Sequence, residues 1–237
     1  MLDISTLFNR KQKYKRLKTS TKLILYTTFG LIIFGAVIMF IFEVNNSQFS
    51  GFIERAFHSL FLSVTARTAG FNTISIELLS PATVMIMIIL MWIGASPGST
   101  GGGIKTTTFA VALITLYNYI LGKERVEIFN REIETKNIRQ SLLVIISSLI
   151  FLGIGTTLLV NFEPKIEPLD LIFEAVSAIS TVGLSRNITY ILGEPAKIIL
   201  IILMFVGRIG VFTFFLSLYK PKPEPRYKLP IEQVIIG

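Results

Sequence analysis

"GASPGSTGGGIKTTTF", residues 94–109, interrupts two apolar runs, and the reading of that interruption decides the fold. Its glycines, serines and lysine–threonine pair imitate a phosphate loop, G-x-x-x-x-G-K-[ST], whose lysine reaches the terminal phosphates. Gly98 and Gly103 have the required separation, but Ile104 holds the lysine position and Lys105 comes one residue late. Upstream lies "VMIMIILMWI" (84–93) in place of a strand of ordinary length. The stretch therefore reads as a polar break between apolar segments, with no nucleotide bound there.

Composition sets the surroundings of that break. Of 237 residues 51% are hydrophobic and 16% charged, and the mean hydropathy is +0.66. A soluble domain carries roughly a quarter charged residues, so the chain reads as a polytopic membrane protein. Cysteine is absent and His58 is the one histidine, which excludes disulfides, thiolate metal sites and histidine clusters. The net charge of +8 does not point to nucleic acid, because the basic residues gather at segment ends, as on the cytoplasmic side of membrane proteins. The start "RKQKYKRLK" (10–18) precedes a long apolar run without a small-residue cleavage site, so a retained span is expected, not a signal peptide.

Leu23 to Phe42 is long enough to cross a hydrocarbon core of roughly 30 Å. "FIERAFHSLFLSVTA" (52–66) is too short to span and reads as a re-entrant half-helix. The polar segment "RTAGFNT" follows, and then Ser80-Pro81, a helix start with proline at the first helical position. The runs 78–95 and 104–121 flank the break. Residues 122–139 are heavily charged, 138–160 is another span, and "PLDLIFEAVSAIS" (168–180) is a second half-helix ahead of "TVGLS". The last span runs from Pro195 to about Tyr219 and ends in "KPKPEPRYK".

The chain repeats itself. "IILMWIG" (88–94) returns as "IILMFVG" (201–207), and Thr68-Ala69-Gly70-Phe71 as Thr181-Val182-Gly183-Leu184, both 113 residues on. "FLSVTA" (61–66) resembles "FEAVSA" (173–178) at 112, and Pro81-Ala82 resembles Pro195-Ala196 at 114. The unit is span, half-helix, glycine segment, span. The expected organisation is a basic cytoplasmic start (1–22), a first unit (23–121) with the loop 94–103 inside its second span, a cytoplasmic linker (122–137), a second unit (138–219) and a cytoplasmic tail (220–237).

Lysine and arginine orient it. Residues 1–22 hold seven, 122–139 five and 220–237 four, against two in 43–77 and three in 161–197. Both termini and the central loop are expected inside, with the half-helices entering from outside. Two crossings around the loop would put the basic linker outside, so a single interrupted crossing is expected. Residues 78–121 as one straight helix would be about 66 Å long, so the element must break, and the glycine cluster is the place.

A half-helix and glycine segment dipping into lipid is tolerated where it lines a water-filled path. Backbone carbonyls there can replace an ion's hydration shell, and glycine allows the φ > 0 angles that turn successive carbonyls to one side. The candidate ligands are the carbonyls of Arg67, Thr68, Ala69, Gly70 and Phe71, and of Ser180, Thr181, Val182, Gly183 and Leu184. Tight extracellular turns are the alternative. Arg208, in "MFVGRIGVF", falls near the middle of an apolar span, where a charge is a functional candidate. Glu174 either adds negative potential or caps a helix bundle. Lys105 marks the cytoplasm-facing side of the break, Arg67 either tethers its loop or faces water, and His58 and Trp92 read as packing residues.

Five stretches together resemble the Trk/Ktr/HKT potassium transporter superfamily, in particular its bacterial Ktr-type membrane subunit. They are "SVTARTAGFNT" (63–73), "GASPGSTGGGIKTTTF" (94–109), "FEAVSAISTVGLS" (173–185), "GRIG" (207–210) and "EQVIIG" (232–237). The resemblance implies an all-α integral membrane fold of four span–pore–span repeats around one pore, of which this chain holds the third and fourth. Gly70 and Gly183 would be filter glycines, Arg208 the cavity-lining arginine, and Gly98, Ser99, Thr100, Gly101, Gly102 and Gly103, with Lys105, an intramembrane gating loop. It implies potassium as the transported ion, held by filter carbonyls as the only metal site, no covalently bound cofactor, and sodium coupling on the strength of resemblance alone. The implied partners are the missing N-terminal half or a second copy, a homodimer of assembled subunits, a cytosolic nucleotide-binding ring and the lipid of a bacterial plasma membrane.

The expected function is therefore potassium translocation by a subunit or half-subunit, with a truncated non-conducting regulatory partner as the alternative. An enzyme is not expected: Glu174 and Arg208 are the only acid/base candidates at membrane depth, and no catalytic motif joins them.

Overall fold

The computed structural model describes residues 18–44, 46, 51–123, 125–211 and 213. The basic start 1–17, residues 214–219 of the last expected span and the tail 220–237 lie outside the described residues. Among the described residues seven α-helices follow in chain order: α1 Thr19–Phe42, α2 Phe52–Thr65, α3 Pro81–Trp92, α4 Thr106–Ile120, α5 Thr135–Phe162, α6 Pro168–Ile179 and α7 Glu194–Ile209. One 3-10 turn, Ile76–Leu78, leads into α3. Ser80 caps α3 through its hydroxyl, which accepts the Thr83 amide, and Pro81 occupies the first turn.

Two of these helices, α1 and α5, are long and apolar enough to cross a membrane. Both turn large apolar side chains outward, among them Phe29, Ile33 and Val37 on α1 and Ile146, Ile150 and Ile154 on α5. A surface of that kind is a liability in water and suits hydrocarbon. The short α6 has the opposite character, with residues 173–179 all buried. Phe173 and Val176 join Met39, Leu62, Met87 and Leu90 in one core, while Leu171, Ala175 and Ile179 join Leu159, Leu200 and Leu203 in a second. The most buried helix is thus one of the two expected half-helices.

Helices α3 and α4 are separated by residues 93–105, whose ends Ile93 and Ile104 pair in a parallel bridge. Parallel pairing means that the chain leaves the loop in the direction it entered, and both helices pack along α1. The Trp92 carbonyl closes the neck by accepting the amides of Gly94 and Ile104, each at 3.0 Å.

Glu43 and Glu163 perform a matching task that the sequence did not announce. Each follows the C-terminus of a long helix, and each carboxylate receives the start of a later one. Glu43 accepts the Ser80 amide (3.0 Å) and hydroxyl (2.9 Å), and Glu163 accepts the Gly193 amide (2.6 Å). Gly35 and Gly155 lie eight residues before these glutamates and pack against Leu90 and Leu203. The long helices therefore correspond at an offset of 120 and the later ones at 113.

Within the expected linker, residues 122–137, Glu127–Ile128 (β1) and Arg131–Glu132 (β2) form an antiparallel hairpin, so the fold is mostly helical with one small hairpin. Its two-residue turn, Phe129-Asn130, has φ > 0 at both positions, as a type I′ turn requires, but phenylalanine gives no sequence signal for it. Helix α7 ends at Ile209, where Gly210 turns to φ +92, so Arg208 lies in the last turn of this helix and its charge complements the carbonyl end of the helix dipole; most of the expected span beyond Val211 lies outside the described residues.

Candidate functional site

The short helices α2 and α6 are each followed by a Thr-x-Gly segment, and the two segments share positive φ at the same two positions. Thr68 and Gly70 take φ +67 and +77; Thr181 and Gly183, 113 residues on, take +54 and +88. Positive φ is accessible to glycine at little cost, but for a β-branched residue it is an outlier, and such strain gathers at functional sites. The segments lie side by side: a Cβ at Gly70 would collide with the Val182 carbonyl oxygen. Gly183 faces open space.

Not all ten expected carbonyls are equivalent. Those of Phe71 and Leu184 accept the hydroxyls of Thr65 and Ser177, and that of Ser180 accepts the Gly102 amide at 3.1 Å. Among the described residues no hydrogen bond reaches the carbonyls of Thr68, Ala69, Gly70, Thr181, Val182 or Gly183. An unpaired carbonyl away from water is costly, and a cation or water would satisfy it. The hydroxyls of Thr65 and Ser177 escaped the sequence reading, because serine and threonine near a helix end carry no signal of what they hold.

The loop 94–103 reaches both segments. Gly102 donates its amide to the Thr181 hydroxyl at 2.7 Å as well as to Ser180, and Gly103 donates to the Ile179 carbonyl at 3.4 Å. Gly101 packs on Thr68, and side chains at 101 or 102 would come within 2.7 Å of Thr68 Oγ1 and the Ile179 carbonyl. Only residues without side chains allow this approach.

Three cations hold the loop. Arg208 donates to the Thr100 carbonyl at 2.8 Å, bringing together residues 108 apart in sequence. Lys105 folds back onto the carbonyls of Gly101 (2.6 Å) and Ser99 (3.3 Å), and Arg67 reaches the Gly94 carbonyl at 3.3 Å. Gly98 stands apart, exposed and at φ +86.

The remaining sequence candidates have structural partners. Glu174 is buried and gathers the loop after the second segment, accepting the Ser185 hydroxyl, the Arg186 amide (3.2 Å) and the Thr189 hydroxyl (3.0 Å). Trp92 donates its indole N–H to Ser148 of α5 at 3.1 Å, and His58 contacts Thr73 at 3.0 Å.

Comparison with known proteins gives the family. The family described as "TrkH: Cation transport protein" matches residues 17–229. The chain is 40% identical over 233 residues to Ktr system potassium uptake protein D of Bacillus subtilis (strain 168), covering 98% of this chain and 51% of that protein. It is 36% identical over 220 residues to Ktr system potassium uptake protein B of Vibrio alginolyticus, covering 92% of this chain and 48% of that protein. The crystal structure of the potassium transporter TrkH from Vibrio parahaemolyticus superposes with a TM-score of 0.68 at 15% identity, over 81% of this chain and 43% of that one. The chain spans about half the length of these relatives. With a family match across most of its length, mostly helical architecture and spans suited to lipid, the chain is a membrane protein and belongs to the TrkH cation transport protein family.

Proposed function

We propose that this chain supplies half of a potassium-conducting pore, with Thr68–Gly70 and Thr181–Gly183 as two of its filter segments and the loop 94–103 as the gate beneath them. The observation that carries this is the pairing of two Thr-x-Gly segments, each with positive φ at its threonine and glycine, after short helices and in contact with one loop that touches both. The relatives named for potassium uptake support the choice of ion. α2 and α6 are then pore helices whose carbonyl ends turn partial negative charge toward the site. The pore is completed by two further repeats or by a second copy.

In this account α3 and α4 are one interrupted crossing, both termini lie in the cytoplasm, and the membrane is a bacterial plasma membrane. The chain divides into the two span–pore–span units given above, 23–121 and 138–219. Arg208, Lys105 and Arg67 hold the loop closed. Their release is the opening step, and it is the step that a cytosolic nucleotide-binding partner would regulate. Sodium coupling rests on resemblance alone. The second reading is a non-conducting regulatory partner of a full-length subunit.

Uptake in a strain without potassium uptake systems separates the two. The chain is expressed alone and joined to the unmatched half of the Bacillus subtilis relative. Uptake by the completed transporter is expected. Uptake by neither, with both proteins in the membrane, would overturn the conducting reading in favour of the regulatory one.

A further inference from the structure

Hydroxyls on this chain's helices mostly bond backward. Those of Thr27, Thr115 and Thr157 donate to the carbonyl four residues earlier, and those of Ser141 and Ser148 to the carbonyl three residues earlier. That is the ordinary local habit of serine and threonine in helices. Thr65 and Ser177, in the last turns of α2 and α6, bond forward instead, to the carbonyls of Phe71 and Leu184. Both side chains are buried, at 2% and 4% exposure.

Each of these residues grips its segment at two points. The Thr65 carbonyl accepts the amides of Ala69 (3.1 Å) and Gly70 (3.4 Å), while its hydroxyl oxygen also accepts the Phe71 amide at 2.9 Å. The Ser177 carbonyl accepts the Val182 amide at 2.9 Å, and its hydroxyl holds the Leu184 carbonyl at 2.6 Å. Two repeats thus arrive at the same clamp with different hydroxyl residues.

We infer that the hydroxyls of Thr65 and Ser177 are specificity-determining positioning groups that fix the outer end of each Thr-x-Gly segment and confine ion coordination to the carbonyls of Thr68–Gly70 and Thr181–Gly183. This rests on the filter reading above. Discrimination between cations depends on the number and placement of coordinating carbonyls. Without the hydroxyl, the carbonyl of Leu184 or Phe71 loses its donor and must turn toward another. That rotation is transmitted through one peptide plane to Gly183 or Gly70, where the ion is read. Neither hydroxyl touches the ion, and the loop contacts of Gly101 and Gly102 are untouched.

The test compares potassium with sodium uptake in the completed transporter carrying Thr65→Val, Ser177→Ala, Thr65→Ser or, as control, Gly183→Asp, with membrane levels measured for each. Thr65→Val and Ser177→Ala are expected to lower the potassium-to-sodium ratio about five-fold or more at unchanged membrane level. Thr65→Ser, which keeps the oxygen, is expected to stay within about two-fold of wild type. If Thr65→Val does not accumulate, Ser177→Ala decides, because it removes one buried oxygen and adds no atom. Ratios within about two-fold of wild type, with Gly183→Asp abolishing uptake, would overturn the clamp and leave the filter standing. Uptake unaffected by Gly183→Asp would sink the filter reading and the clamp with it.

Discussion

Gly70 and Gly183 meet the same backbone demand in different surroundings, and substitution separates the two effects. Both have φ > 0, which costs a non-glycine residue about 1–2 kcal/mol. At Gly70 a methyl group also collides with the Val182 carbonyl, whereas at Gly183 it meets nothing. Gly70→Ala is therefore expected to lower the thermal stability of the purified chain more than Gly183→Ala, by about 1–3 kcal/mol beyond the shared strain. Equal losses would mean that the segments are not packed side by side. These glycines were legible in the sequence because glycine in a repeated polar segment has few other uses. The clamp residues were not: a threonine closing an apolar helix looks the same whether its hydroxyl points backward or forward.

The interruption between α3 and α4 shows how far pattern reading reaches for an element. Excess length and the charge rule locate the break, but the parallel bridge of Ile93 with Ile104 and the latches of Arg208 and Lys105 join residues that no local pattern connects. Removing Gly98–Thr100 deletes the carbonyls that Arg208 and Lys105 hold at Thr100 and Ser99 and keeps Gly101 and Gly102, which contact the Thr-x-Gly segments. In the completed transporter it is expected to raise potassium flux and weaken control by a cytosolic partner, as read by uptake with and without that partner; unaltered flux would count against gating. Helix packing supplies an independent check. A Cβ at Gly207 would collide with the Ile179 carbonyl, while one at Gly153 of α5 meets nothing. Gly207→Ala is expected to cost about 2 kcal/mol or more by pushing α7 off α6, and Gly153→Ala to be neutral or mildly stabilising, both measured by thermal unfolding. The hairpin of residues 127–132 was missed for a physical reason: four strand residues and a phenylalanine in a left-handed turn carry almost no alternation.

For the molecule as a whole, the repeat was legible only in part. Offsets of 112 to 114 fit the half-helices, the glycine segments and the second spans, where glycine and proline mark the register. The first spans correspond at 120, visible only once Glu43 and Glu163 are seen gripping the starts of α3 and α7. Long apolar helices vary freely on their lipid face, so their similarity sits in a glycine and a terminal carboxylate. The absence of cysteine makes the topology directly measurable. A single cysteine at Lys165 is expected to react with a membrane-impermeant maleimide added to intact cells, and one at Glu132 only after permeabilisation. Labelling at Glu132 from outside, with Lys165 protected until permeabilisation, would contradict a single interrupted crossing.

The central claim is that the paired Thr-x-Gly segments carry the ion. Gly183→Asp in the completed transporter tests it most directly, with potassium uptake measured beside the amount of protein in the membrane. The account predicts loss of uptake with the protein still inserted. Uptake at the wild-type rate would contradict it.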